Sequence, residues 1–109
     1  MTDHPAWVQL LLKRESAGHW MASAFLSDLS RENVLELADQ QPDGRETLRQ
    51  AALTELTSES PEQVAVAILF LSVVGRHEDL AAVSTFLRHS SATVERAAKV
   101  CRFALQRAD

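Results

Sequence analysis

The chain has 109 residues, of which 46% are hydrophobic and 24% are charged, as expected for one globular domain over residues 1–109. A formal net charge of −4 does not favour a general attraction to nucleic acid, and a single cysteine excludes an intramolecular disulfide. Three glycines and three prolines are too few for an all-β chain with many tight turns. The start, MTDHPAWVQL, lacks a basic segment and a cleavage pattern. We therefore expect a soluble, cytoplasmic, all-α protein.

Two helices are predicted in the first part of the chain. The first runs from about Pro5 to Arg14, with Asp3 or His4 as its cap. The second runs from about Gly18 to Leu29, with apolar residues at helical spacing.

Two more helices are predicted around a turn. The third helix starts after Ser30 and extends to about Gln40. Pro42-Asp43-Gly44 is a turn signal, and Asp43 is expected to cap the fourth helix, in which Glu46 takes the third position.

The stretch VAVAILFLSVVG (64–75) raises the question of a membrane span, a buried strand or a buried helix. A spanning helix needs about 20 apolar residues, and this run is much shorter. Its β-branched residues favour a strand, but the residues around it favour a helix. Ser60 suits an N-cap, Pro61 suits the first turn, Gln63 completes a capping box, and Gly75 suits a left-handed C-terminal residue. We predict a fifth helix over Pro61–Val74, covered on most sides at the centre of the domain.

Two helices complete the predicted set of seven. The sixth runs from about His77 to Arg88, and the seventh is capped by Ser91 and runs to about Arg107. The connections are short, so neighbouring helices are expected to pack against each other.

An internal repeat relates two parts of the chain. Arg31–Ala52 aligns with His77–Ala98 without gaps, and the apolar phase and the paired alanines agree. The segment GRHEDLAAVSTFLRHSSATVERAAKVCRFAL (75–105) resembles one unit of a HEAT-repeat protein, with a glycine and acidic residues before the first helix and Val94-x-Arg96-Ala97-Ala98 opening the second. The resemblance implies a short α-solenoid that binds other macromolecules and has no chemistry of its own.

Motifs for catalysis and cofactor binding are missing from the sequence. No glycine-rich phosphate loop or nucleophile elbow is present, and none of the four histidines has another histidine or Cys101 at metal-ligand spacing. Cys101 lies on an apolar helix stripe and is interpreted as a core residue. We expect no enzymatic activity, no cofactor and no metal.

The last predicted helix carries the best candidate for a binding site. At about 100° per residue, Phe103 falls opposite the apolar stripe, among Arg96, Lys99 and Arg107, with Val100 at the edge. Aromatic and arginine residues dominate the binding energy of many interfaces. The alternative is that Phe103 is covered by the chain itself or is an isolated exposed residue.

Three functions remain open at this point. The first is a protein-binding adaptor whose partner presents an acidic or mixed apolar and acidic surface. The second is a dedicated binder of one protein, such as an immunity protein or a secretion chaperone. The third, disfavoured by the net charge, is nucleic-acid binding through the basic residues Arg45, Arg49, Arg96, Lys99 and Arg102. If Phe103 is not the anchor, the surface around Arg45 and Arg49 is its counterpart in the repeat.

Overall fold

The computed structural model describes residues 5–9 and 28–107, and all regular secondary structure within them is helical. The all-α prediction is thereby confirmed for this part of the chain. Residues 6–9 are helical. The longer helices are α1 (Asp28–Asp39), α2 (Gly44–Glu55), α3 (Pro61–Val74), α4 (Leu80–Ser84) and α5 (Ala92–Gln106). A 3-10 helix, His77–Asp79, directly precedes α4.

Most of the first two predicted helices lies outside the described residues. The helix over 6–9 follows Pro5, whose carbonyl accepts the N–H groups of Val8 and Gln9, each at 3.0 Å. The proposed caps, Asp3 and His4, lie outside the described residues. Only the end of the second, 28–29, is described, and it belongs to α1. The third predicted helix therefore begins at Asp28 and not after Ser30. The predicted count of seven helices depends in part on residues outside the described ranges.

The turn between α1 and α2 lies where it was predicted, but the role of Asp43 in it differs from the prediction. Asp43 precedes α2, yet its side chain makes no capping hydrogen bond, so the predicted cap is wrong. Its backbone is left-handed, with φ 51°, a conformation that aspartate tolerates better than most residues. Gly44 is needed for space, because a Cβ there would overlap the carbonyl group of Ala38. The glycine therefore lets the end of α1 approach the start of α2.

The bounds of α3 are those predicted from its flanking residues. The Ser60 hydroxyl accepts the N–H of Gln63 at 3.4 Å. The predicted return bond of the capping box is wrong, because the Ser60 N–H and the Gln63 side chain both bond to the Ser58 hydroxyl, at 3.1 and 2.8 Å. Gly75 is also not left-handed, since its φ is −72°. Its N–H donates to the Leu71 carbonyl at 2.7 Å.

The core is built around α3, which packs against α2 and α5 and also contacts α1. Every side chain from Val64 to Ser72 is buried, and Phe70 and Leu71 are completely covered. The Ser72 hydroxyl donates to the Leu69 carbonyl, so the one polar side chain in this run has a partner. None of the described helices combines the length and the apolar character needed to cross a bilayer.

The sixth predicted helix is shorter than expected. It is divided into the 3-10 helix and α4, and residues 85–88 form turns instead of continuing the helix to Arg88. The Thr85 hydroxyl donates to the Ala82 carbonyl at 2.8 Å, and the N–H of Phe86 returns to Val83, three residues back. Such short-range bonds tighten the end of a helix and stop it. The cap of α5 is as predicted, since the Ser91 hydroxyl accepts the Val94 N–H at 3.4 Å.

Candidate interaction surface on the last helix

The two faces of α5 have opposite character. One face is buried in the core and packs mainly against α3 and α4. It carries the predicted stripe of Val94, Ala97, Ala98, Cys101 and Leu105. The other face, called the α5 outer face below, is exposed and consists of Arg96, Lys99, Arg102, Phe103, Gln106 and Arg107.

Phe103 stands on the α5 outer face with 63% of its surface exposed. It is the large hydrophobic side chain that is most open to solvent among the described residues. The helical spacing therefore predicts its orientation correctly. The Arg107 guanidinium carbon lies 5.6 Å from the centre of the Phe103 ring, within the range of a cation–π contact. This contact holds a positive charge beside the aromatic ring.

Positive charge is concentrated around Phe103. The segment 92–107 holds four of the chain's 11 lysines and arginines and only one of its 15 acidic residues. That acidic residue, Glu95, bonds to the Lys99 ammonium at 3.2 Å on the flank of the helix. Arg96 and Arg102 are exposed on either side. The α5 outer face is therefore positive although the whole chain is negative.

The four predicted binding residues share this surface. Phe103, Arg96 and Lys99 are exposed on α5, Arg107 is exposed at its C-cap, and Val100 is half-buried at their edge. Their role in binding stays a prediction.

Arg49 does not belong to an accessible basic surface. It is only 7% exposed, and its guanidinium makes a two-pronged contact with Asp79, which is 4% exposed. Nε donates to Oδ2 at 2.8 Å and Nη2 donates to Oδ1 at 2.7 Å. The predicted alternative surface around Arg45 and Arg49 is wrong for Arg49, because its guanidinium is buried and hydrogen-bonded within the protein.

Further ion pairs extend the contact into a network, called the Arg49 cluster below. Arg49 also donates to Glu46 on α2 and to Glu78 beside Asp79, both at 2.8 Å. The Arg76 guanidinium donates to Glu46 at 3.1 Å, and the Arg76 backbone N–H donates to Asp79 at 2.8 Å. The cluster therefore ties α2 to the connection between α3 and α4.

The charge states of the central pair follow from this geometry. Burial raises the pKa of Asp79. Hydrogen bonds from the Arg49 guanidinium and the Arg76 N–H, together with the positive charges of Arg49 and Arg76, lower this pKa by more than burial raises it, so the net shift is downward. The hydrogen bonds that Arg49 donates to Asp79 raise the pKa of Arg49, against the opposite effect of burial. Both groups are therefore charged at neutral pH.

The Arg49 cluster was not predicted from the sequence. Glu78 and Asp79 were interpreted as first-turn helix charges, and nothing local connects them with α2. Arg49 and Asp79 are 30 positions apart, and no spacing rule covers such a pair. The available signal was an arginine on the apolar side of its helix, next to Leu48 and Ala52.

Cys101 is buried, and His77 and His89 each contact a backbone group. Burial raises the pKa of the Cys101 thiol to about 12, with a smaller contribution from the Asp79 charge. His77 Nδ1 lies 3.3 Å from the Leu105 carbonyl, and His89 Nδ1 accepts the Ser91 N–H at 2.9 Å. Within 5–9 and 28–107 there is no group of three or more potential metal ligands. His4 and His19 lie outside those ranges.

Comparisons of the chain with profiles of protein families, with curated protein sequences and with solved structures found no match.

Proposed function

We propose that this protein is a non-enzymatic protein-binding module whose docking surface is the α5 outer face. The observation that carries the proposal is the exposed Phe103 ring at the centre of four cationic side chains. The partner is a protein with an acidic or mixed apolar and acidic surface.

The physical basis is the free energy gained when this ring is covered. Full burial of a phenylalanine side chain contributes roughly 1.5–3 kcal/mol. The surrounding charges add specificity and a faster approach, because a positive patch attracts an acidic partner before contact. Arg107 is already positioned over the ring, which reduces the ordering cost of using it.

A HEAT-like arrangement is part of the proposal. The packing of α1 on α2 and of α4 on α5, with α3 between α2 and α5, supports it. So does the sequence repeat that relates the two pairs. The module serves either several partners, as an adaptor, or one dedicated partner.

Nucleic-acid binding is less well supported. Arg49 is buried, and Arg45 donates from Nε and Nη2 to the two carboxylate oxygens of Asp39 at 2.7 and 2.8 Å. Lys99 also donates to Glu95 at 3.2 Å, so three of the five basic residues considered for this function are paired with carboxylates. Arg96, Lys99 and Arg102 lie on α5 around Phe103, where an apolar anchor suits a protein.

Affinity capture from the native cells, followed by binding kinetics with the purified partner, tests the proposal. We expect Phe103→Ala to weaken binding by about 2 kcal/mol or more. Arg96→Glu should slow association, with a larger effect at low salt. Arg88→Glu makes the same charge change at an exposed position outside α5 and should have a much smaller effect.

The same measurement distinguishes the alternatives. Recovery of several partners supports an adaptor, and recovery of one supports a dedicated binder. A partner whose binding is unchanged by both α5 substitutions would place the interface elsewhere. Binding to nucleic acid that falls steeply with salt would replace the proposal.

A further inference from the structure

Three exposed side chains and the half-buried Val100 form a straight stripe along α5. With Arg96 as the reference, Val100, Phe103 and Arg107 lie within roughly 40° in azimuth at about 100° per residue. The stripe is about 16 Å long, at roughly 1.5 Å rise per residue. Its two ends are cationic and its centre is apolar.

We propose that the occupant of this stripe is an acidic amphipathic helix laid along α5, an inference that rests on the proposed function. The pattern it must present is the complement of the stripe. Two apolar side chains face Val100 and Phe103, and one carboxylate beyond each of them faces Arg96 or Arg107. In the sequence of the bound helix, the complementary pattern is an acidic residue at position i, apolar residues at i+4 and i+7, and a second acidic residue at i+11.

A helix suits the stripe better than an extended peptide. An extended segment binds chiefly by adding its backbone to a sheet edge, and the described residues form no strand. A straight row of side chains on a helix offers ridges that interdigitate with those of a second helix. The length of the stripe matches about three turns of the occupant.

The charges also favour carboxylates over phosphates. Positive groups occur at the two ends of the stripe, and an apolar pair separates them, whereas a nucleic-acid backbone requires charge along its whole path. Lys99, beside the stripe, already bonds to Glu95, and the exposed Arg102 lies about 120° around the helix from Arg96. The two end arginines are therefore the main charged contacts for the partner.

A synthetic peptide provides a direct test on the whole protein. It carries two glutamates and two leucines in the stated pattern on an alanine and glutamine background, and a lactam bridge on its far face fixes the helix. The control peptide has the same composition, but its glutamates are moved to the face opposite the leucines. Titration is followed by backbone amide NMR shifts of the protein and by fluorescence anisotropy of the labelled peptide.

The expected result is saturable binding, with amide shifts concentrated in α5. The control peptide should bind at least about tenfold more weakly, and Phe103→Ala and Arg96→Glu should each weaken binding by about tenfold. Arg88→Glu should change the affinity less than twofold. These differences follow if the apolar centre and the charged ends are recognised together.

Three results would overturn the inference. Equal affinity for the two peptides would mean that the surface responds to net charge alone. Tighter binding of an oligothymidine probe, with a steep salt dependence, would indicate a nucleic-acid surface. Failure of the peptide to bind, while a natural partner still depends on Phe103, would reject the acidic helix and leave the proposed function in place.

Discussion

Removal of one member of the Arg49–Asp79 pair should destabilise the fold strongly. In Arg49→Met the aliphatic length of the side chain is kept, but the Asp79 carboxylate stays buried with the Arg76 N–H as its remaining partner. Breaking a buried ion pair in this way costs about 3–5 kcal/mol. The total stability of a domain of this size is about 5–15 kcal/mol, so the loss is a large fraction of it.

Asp79→Leu should cost less than Arg49→Met. Arg49 then keeps hydrogen bonds to Glu46 and Glu78, both at 2.8 Å, so its charge is not left alone. The double variant removes both buried charges and should recover most of the stability lost in Arg49→Met. Urea unfolding of the four proteins, followed by circular dichroism, gives the coupling free energy of the pair.

A matched control is available on the same helix. The Arg45–Asp39 pair has the same two-pronged geometry but is exposed, so Arg45→Met should leave the urea midpoint almost unchanged. Equal losses for Arg45→Met and Arg49→Met would show that burial does not decide the effect. A neutral Arg49→Met would refute the interpretation of the cluster as a structural tie.

The pH dependence of stability offers a second readout of the same pair. Because the pKa of folded Asp79 lies below the unfolded value of about 3.9, its contribution is present above that value. It is lost as the pH falls below about 4 towards the lowered folded pKa. The wild type should therefore lose more stability in this range than the double variant, and parallel curves would contradict the assignment.

Three further predictions concern the core and α5. Leu71→Asp should unfold the protein, because a completely buried, unpaired carboxylate costs several kcal/mol, and a wild-type thermal melt would contradict the central position of α3. Phe70→Ala should cost about 3–5 kcal/mol of stability, whereas Phe103→Ala should stay within about 0.5 kcal/mol; similar urea midpoints for the two would refute the assigned exposure. Cys101 should react with a thiol reagent at neutral pH only as fast as the protein unfolds, and rapid labelling of the native protein would show that the thiol is accessible.

Features set by neighbouring residues were predictable from the sequence. Ser60 and Pro61 fixed the start of α3, because capping depends on groups within one turn. The orientation of Phe103 followed from the helical repeat once Val94 and Leu105 were assigned to the core. In each case the interactions that decide the structure span only a few positions.

Features set by contacts between distant segments were not predictable. Gly75 ends α3 without a left-handed backbone, and a Cβ there would overlap the Leu71 carbonyl of α3 and also come within 3.0 Å of Leu105 on α5. The burial of Arg49 depends on Asp79, which arrives from a different helix connection. Such requirements appear only once the helices are packed.

Site-specific photo-crosslinking tests the central claim most directly, because it reports which surface touches the partner. A photoreactive phenylalanine analogue placed at position 103 keeps the aromatic character of the native side chain, and the same group at the exposed Ala81 on α4 serves as the control. In native cells, irradiation should join the partner to the protein from position 103 and not from position 81, and Arg96→Glu should reduce the yield. Crosslinking of the partner from position 81 alone, or equally from both positions, would contradict the assignment of the α5 outer face as the docking surface.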